Sequence, residues 1–416
     1  MKFEEFDFYP LSGQPYFDPD RFWVSPMNFL PENIKGYPQK VAIHDCTLRD
    51  GEQTPRVFYT KNERVRIAQA LDELGVDRIE VGMPIISEEH CAAIKEVMKL
   101  GLKSEVVAFA RAHKDDIRLS IECGVKSIIV EHTVNPYLCK YAYNLSESEV
   151  INRVYEGISS AKKAGLWANF MGWDFSRTPL EFSRKVYQSA VDAGADALTI
   201  VDTFAVATPD AIGYAVGKFA EWFPGVQLEF HVHNDFGMGM ATAMEAVKNG
   251  ATVIHTAMNS MGERTGNLAT EEVATTFGLL MGNRTSVNLQ KLYNTSRIVS
   301  DITGIRPNVN KTVFGANCFG IESGVVSHYT HALRQVGFKC VSYPYLPEVV
   351  GRVEEDFFIG PLSGRLTIEY YLGKNGIETS SEKVDEVLAA VKHECVVRKA
   401  IISEEEMLEI ARKIVR

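Results

Sequence analysis

Eight short apolar runs, each followed by a stretch of helical period, constrain this chain more than any other feature. The runs are VAIHDC (41–46), RIEVG (78–82), EVVAFA (105–110), SIIVEH (127–132), WANFMGW (167–173), ALTIVD (197–202), LEFHVH (228–233) and VIHTAMN (253–259). Each is dense in Val, Ile, Leu or Phe and ends in a polar or small residue, which suits a strand buried on both faces of a parallel sheet. Between them, stretches such as TKNERVRIAQALDELG (60–75) and SEVINRVYEGISSAKKAG (148–165) space apolar residues three or four apart, and glycine closes unit after unit at 75, 101, 124, 165, 194 and 250. Glycine just past a helix is the usual left-handed cap. Eight strand–helix units in about 240 residues match a closed (β/α)8 barrel, whose usual length is about 250. An open doubly wound sheet is the alternative, but no GxGxxG follows the first strand. The expected fold is therefore an α/β TIM barrel over residues 41–282.

The flanks read differently. Residues 1–40 are rich in Phe, Tyr, Trp and Pro. Disordered tails are poor in aromatics, so this segment is expected to be an ordered arm. Residues 283–416 carry mixed helical pattern and are expected to form a mainly helical C-terminal subdomain. The net charge of −10 argues against a nucleic-acid partner, which calls for a basic face, yet leaves room for a local cationic pocket. No basic start followed by an apolar stretch marks a signal peptide, and no run of about 18 apolar residues marks a membrane span. The seven cysteines, at 46, 91, 123, 139, 318, 340 and 395, form no CxxC pair. Free thiols in a reducing, cytoplasmic setting are expected, with Cys46 a small apolar packer.

In a barrel of this kind the chemistry gathers at the C-terminal strand ends, and three polar clusters lie there. HDCTLRDGEQTP (44–55) leaves the first strand and brings Arg49 and Asp50. FHVHNDFGMG (230–239) ends the seventh and holds His231 and His233 two apart, hence on one strand face. NSMGERTGN (259–267) follows the eighth and supplies Arg264 and Asn267, the latter also suited to capping the next helix. Two imidazoles, a carboxylate and an amide oxygen make a mixed N/O shell for a divalent ion such as Mg2+, Mn2+ or Zn2+ with open positions, unlike a closed structural zinc site. Glu131 and His132 end the fourth strand and are expected at the same mouth. His44, Asp45, Glu52 and Gln53 should support the loop, and Asn234 and Asp235 should orient an imidazole or cap the next helix.

DCTLRDGEQ, HVHND and GERTGN, in this order on these strands, resemble the metal-dependent DRE-TIM superfamily, its 2-isopropylmalate, homocitrate and citramalate synthase branch above all. VSYPYLPEVVGR (341–352) and IGPLSGR (359–365) look like segments that follow the barrel in those synthases. The resemblance implies Asp50, His231, His233 and Asn267 as metal ligands, Arg49 as the cation facing the reacting carbonyl oxygen, Thr203 as the anchor of a 2-oxo acid carboxylate, and Tyr345 as a catalytic residue from the tail. It implies condensation of acetyl-CoA or another acyl-CoA with a 2-oxo acid, and a homodimer.

Two positions depart from the family pattern. Trp173 stands in GWDFSRT where the synthases carry Glu, which fits a larger or flatter substrate, a reshaped wall or simple packing. Val326 stands where they carry a histidine, leaving His328 or His331 as candidates for that role. Hydroxymethylglutaryl-CoA lyase carries a cysteine in the loop after strand eight, whereas AMNSMGERTGNLATEE has none. A carbon–carbon lyase or aldolase, or an altered metabolite-binding homologue, is the alternative.

Overall fold

The computed structural model describes residues 11, 13–353 and 356–415. They divide into two compact units: Met27–Pro307, and the described parts of Met1–Pro26 together with those of Asn308–Arg416.

In the larger unit eight parallel strands close into a barrel in chain order: β1 (Ala42–Asp45), β2 (Arg78–Gly82), β3 (Glu105–Arg111), β4 (Ser127–Thr133), β5 (Trp167–Trp173), β6 (Ala197–Asp202), β7 (Gln227–Val232) and β8 (Val253–Thr256). Pairing of β8 with β1, from Val253↔Ala42 to Thr256↔Asp45, shuts the sheet. This is the TIM barrel that the apolar runs imply. Each strand leads to a helix of the outer layer: α1 (Lys61–Leu74), α2 (Glu88–Lys99), α3 (Lys114–Glu122), α4 (Glu147–Lys163), α5 (Leu180–Asp192), α6 (Pro209–Trp222), α7 (Gly239–Lys248) and α8 (Thr270–Thr275). Local sequence sets their ends. Thr60 with Glu63, and Ser146 with Glu149, form capping boxes on α1 and α4, and Gly75 stops α1 in the left-handed region at φ 90°.

Period-2 alternation sorts the strand residues between barrel interior and helix layer. A lower interior tier is polar and cross-linked between strands. His44 bonds Glu80 at 3.0 Å, His255 bonds Glu229 at 2.9 Å, and Asn169 reaches Thr199 and Glu229 at 2.8 and 2.7 Å. The His44 and His255 rings stack with centroids 4.2 Å apart. Burial opposes ionisation of Glu80 and Glu229, but Arg49 and His44 on one, and His255 and Arg78 on the other, outweigh it and hold both near pKa 2. The tier above is mostly apolar on the side of β3 to β6, where Val107, Phe109, Ile129, Met171 and Val201 pack together.

The second unit packs α10 (Gly324–Gln335), α11 (Arg365–Lys374), α12 (Ser381–Arg398) and α13 (Glu404–Val415), preceded in the barrel unit by α9 (Leu292–Thr303). The last three share a core that includes Ile368, Leu372, Val387, Val391 and Met407. The N-terminal segment joins this unit: Trp23 stacks on Phe338 at 6.0 Å and donates its backbone N–H to Pro344, while Leu346 donates to Arg21. The seven cysteines are free, and among the described residues no helix is long and apolar enough to cross a membrane.

Candidate metal and substrate site

A cavity of about 180 Å3 opens at the C-terminal end of the strands. The three polar clusters converge on it, because β7, β8 and β1 are consecutive in the closed sheet. Asp50 follows β1, His231 is on β7 and His233 just beyond it. The Nε2 atoms of the two imidazoles stand 3.5 and 3.9 Å from Asp50 Oδ2. Asn267 comes alongside through a backbone bridge to His233.

These four residues share a further property. Asp50 Oδ1, Asn267 Oδ1, His231 Nδ1 and His233 Nδ1 are all buried without a hydrogen-bond partner. Buried polar atoms rarely stay unpaired, so the free carboxylate and amide oxygens of Asp50 and Asn267 beside these imidazoles signal a missing partner. Burial, reinforced by neighbouring His233 and His255, drives His231 well below the usual imidazole range; burial also lowers His233, although Asp50 pulls the other way. Both rings are thus neutral, the state in which a nitrogen lone pair is free for a metal. The donor set fits a divalent cation.

Asn267 is not a helix cap. Ala269 precedes α8, and the Asn267 amide N–H donates to Met261 O at 2.9 Å, which turns the amide oxygen inward. The glycines of GERTGN make this possible. A Cβ on Gly262, at φ 144°, would stand 2.4 Å from Asn267 Nδ2, and one on Gly266, at φ 84°, would stand 1.6 Å from Ser260 O. Asn259, Ser260 and Arg264 also hold positive φ in this loop, and Asn259 pins it to α9 through Ser296 and Ser300. Gly266→Ala is expected to lower stability by roughly 1–3 kcal/mol, read as a fall in Tm, and to weaken divalent-ion uptake in the folded fraction.

Arg49 is held on three sides. Its Nε donates to Glu80, its Nη1 pairs with Asp50 at 3.0 Å, and its guanidinium lies 4.3 Å above the Phe109 ring. Burial works against its charge, but Glu80 and Asp50 raise its pKa above the ordinary value. Thr203 Oγ1 accepts the Asp174 N–H at 2.9 Å, so its own hydroxyl proton is available to an acceptor in the cavity. Glu131 and Trp173 also line the cavity, Trp173 edge-on to Phe204 at 5.7 Å.

One expectation, that of His132 at the cavity mouth, is corrected. His132 faces the opposite side of β4 from Glu131, as neighbours on a strand must; its Nδ1 is 2.8 Å from Thr133 O and its ring 6.1 Å from Tyr143. Asn234 Oδ1 accepts the Gly239 N–H at the start of α7, the capping alternative, and Asp235 pairs with Arg264. Asp174 is turned into the wall, bound to Arg177 and Asn135. Glu52 does support the loop, gripping Arg64, which donates in turn to Leu48 and Val81 carbonyls. Cys46 comes within 4.8 Å of the Asp50–His231 pair, but its thiol donates to Thr256 O and burial pushes its pKa well up. Tyr345 and His328 belong to the second unit. Tyr345 packs edge-on to Phe319 at 5.7 Å, and His328 is exposed on α10.

Sequence reading missed Glu80 and the apolar wall of Met83, Phe109, Met171 and Val201. The signal was present. Met171 and Val201 lie two residues before Trp173 and Thr203, hence on the same strand face, and a lone Glu inside RIEVG needs a buried partner.

Known proteins bear on this site. Residues 40–299 match the HMGL-like family. The 2-isopropylmalate synthase of Methanocaldococcus jannaschii is 38% identical over 87% of this chain and 69% of its own length. The homocitrate synthase of Methanopyrus kandleri is 36% identical over 85% and 88%. Among solved structures, the HMG-CoA lyase of Bacillus subtilis superposes with a TM-score of 0.59 at 21% identity, covering 64% of this chain and 95% of that one, which supports the fold alone. With its family match across the barrel and relatives of this identity along most of its length, the chain belongs to the HMGL-like family.

Proposed function

We propose that this protein is a divalent-metal-dependent condensing enzyme. It joins an acyl-CoA, acetyl-CoA foremost, to the ketone of a 2-oxo acid and yields a 2-hydroxy-2-alkyl dicarboxylic acid and free CoA. One observation carries the reading: the Nε2 atoms of two buried imidazoles, His231 and His233, stand 3.5 and 3.9 Å from the buried Asp50 carboxylate beside a fixed guanidinium. The names of the synthase relatives agree with it.

Asp50, His231, His233 and Asn267 would hold the ion. When bound, it supplies Lewis acidity toward the oxygens of the 2-oxo acid. The Thr203 hydroxyl donates to the acceptor's carboxylate and fixes its orientation. A proton leaves the carbon next to the thioester, that carbon bonds to the ketone carbon, and the ketone oxygen takes up charge and then a proton. Arg49 faces that oxygen, where preorganised positive charge lowers a barrier most. Water then cleaves the thioester and releases the CoA thiol.

The test mixes the protein with Mg2+, Mn2+ or Zn2+, acetyl-CoA and a panel of 2-oxo acids and follows free thiol together with product mass. Thiol release that requires both the ion and one class of 2-oxo acid is expected. Release without any 2-oxo acid would show thioester hydrolysis, and silence across the panel with cleavage of a hydroxyacyl-CoA would show a lyase; either overturns the proposal.

A further inference from the structure

The cavity has two chemically different ends. On the side of β7, β8 and β1 stand Asp50, His231, His233 and Arg49. On the side of β2 to β6 the wall includes Met83, Phe109, Met171, Val201 and Trp173, most of it continuous with the buried apolar cluster. Two charged side chains, Arg111 and Glu131, interrupt that apolar half. Strand register lines up Arg111, Glu131 and Met171 across β3, β4 and β5, and Glu131 faces the cavity with no hydrogen-bond or ion-pair partner on its carboxylate among the described residues.

We infer that the acceptor is a monocarboxylic 2-oxo acid with an apolar side chain, and that Glu131 excludes acceptors bearing a second, distal carboxylate. The inference rests on the condensation reading above. An acceptor held by its ketone at the charged end and by its first carboxylate at Thr203, just past β6 where it adjoins β7, must lay its tail against the thioethers and rings. A tail of carbon atoms loses water there and gains contact. A tail ending in a carboxylate arrives beside Glu131 instead, and the nearby cations are committed elsewhere. Arg111 places Nε and Nη2 on Asp116 at 2.8 and 2.9 Å, Arg177 is bound to Asp174, and Arg264 to Asp235. Two carboxylates in one enclosed, poorly solvated space repel strongly, and discrimination by such a clash is a common way to reject a near-identical ligand. Burial raises Glu131 to about 7, ahead of the opposing pull of Arg49, as expected of a carboxyl with no bound cation.

The experiment compares kcat/KM at pH 8, with Mn2+ and acetyl-CoA, for 3-methyl-2-oxobutanoate, 4-methyl-2-oxopentanoate and phenylpyruvate against 2-oxoglutarate and oxaloacetate. In the unmodified protein the best apolar acceptor is expected to exceed either dicarboxylic one by about a hundredfold or more. Glu131→Gln, which removes the charge at constant shape, should narrow that ratio by at least about tenfold, and Glu131→Lys, which supplies a cation, should narrow it further. A dicarboxylic acceptor preferred by the unmodified protein would overturn the inference and leave the condensation standing. An apolar preference that neither variant shifts would remove Glu131 from the selection. No thiol release with any acceptor would overturn this inference and the condensation together.

Discussion

Replacing Arg49 by alanine is expected to lower turnover by about a hundred- to a thousandfold, the range typical of removing one preorganised donor from a developing oxyanion. KM should move far less, because the interaction grows with charge that the ground-state ketone does not carry. Everything around this side chain serves to fix it. Glu80 takes Nε, Asp50 takes Nη1, and Phe109 covers one face of the plane. The alanine variant also leaves Glu80 buried with His44 as its remaining close partner, so a fall in Tm is expected, since breaking a buried ion pair costs about 3–5 kcal/mol. Arg49→Lys separates the two effects. It keeps a cation near Glu80 but cannot reach both carboxylates with one planar fork. Turnover should therefore fall steeply in the lysine variant while Tm drops less. An unchanged turnover number in either variant would falsify the assignment.

The barrel was legible because its strands are buried on both faces. Each apolar run of the sequence is matched by a strand within one or two residues, except that VIHTAMN leaves extended structure after Thr256. The His231–His233 pair and its neighbour Asp50 were legible for a similar reason: period 2 puts both imidazoles on one face, and barrel closure brings β1 next to β8. What stayed hidden depends on register between distant segments. Arg78 meets Glu229 across 151 positions, and His44 and His255 stack across the closing seam. No local pattern announces such pairs. His132 was misplaced for a simpler cause. Nearness to the strand end suggests the mouth, whereas side-chain direction alternates and, of the two, Glu131 has the interior parity. Asn267 resembled a cap because Asn before a helix so often is one, and only the two-residue offset to Ala269 shows otherwise.

The purified protein is expected to bind about one divalent cation per chain, measured by titration calorimetry after chelation and dialysis. Asp50→Asn keeps the size of the side chain but removes the only formal negative charge among the four proposed ligands, and His231→Ala removes a nitrogen donor. Each should weaken binding by more than the roughly 10- to 100-fold that loss of an outer hydrogen-bond partner costs. Binding to the native state alone also raises stability, by about 2.7 kcal/mol at a hundred times Kd. Excess Mn2+ should accordingly raise Tm in the unmodified protein and leave Tm of the two variants nearly unmoved. His132→Ala is the control, since its ring lies on the far side of β4, and its Tm should respond to Mn2+ as the unmodified protein does. The calorimetric readout is independent of any substrate, so it tests the four-donor site even where no acceptor has been found. Equal Mn2+ affinity in Asp50→Asn and the unmodified protein would place the ion elsewhere, and the unpaired atoms at the barrel mouth would then need a different partner.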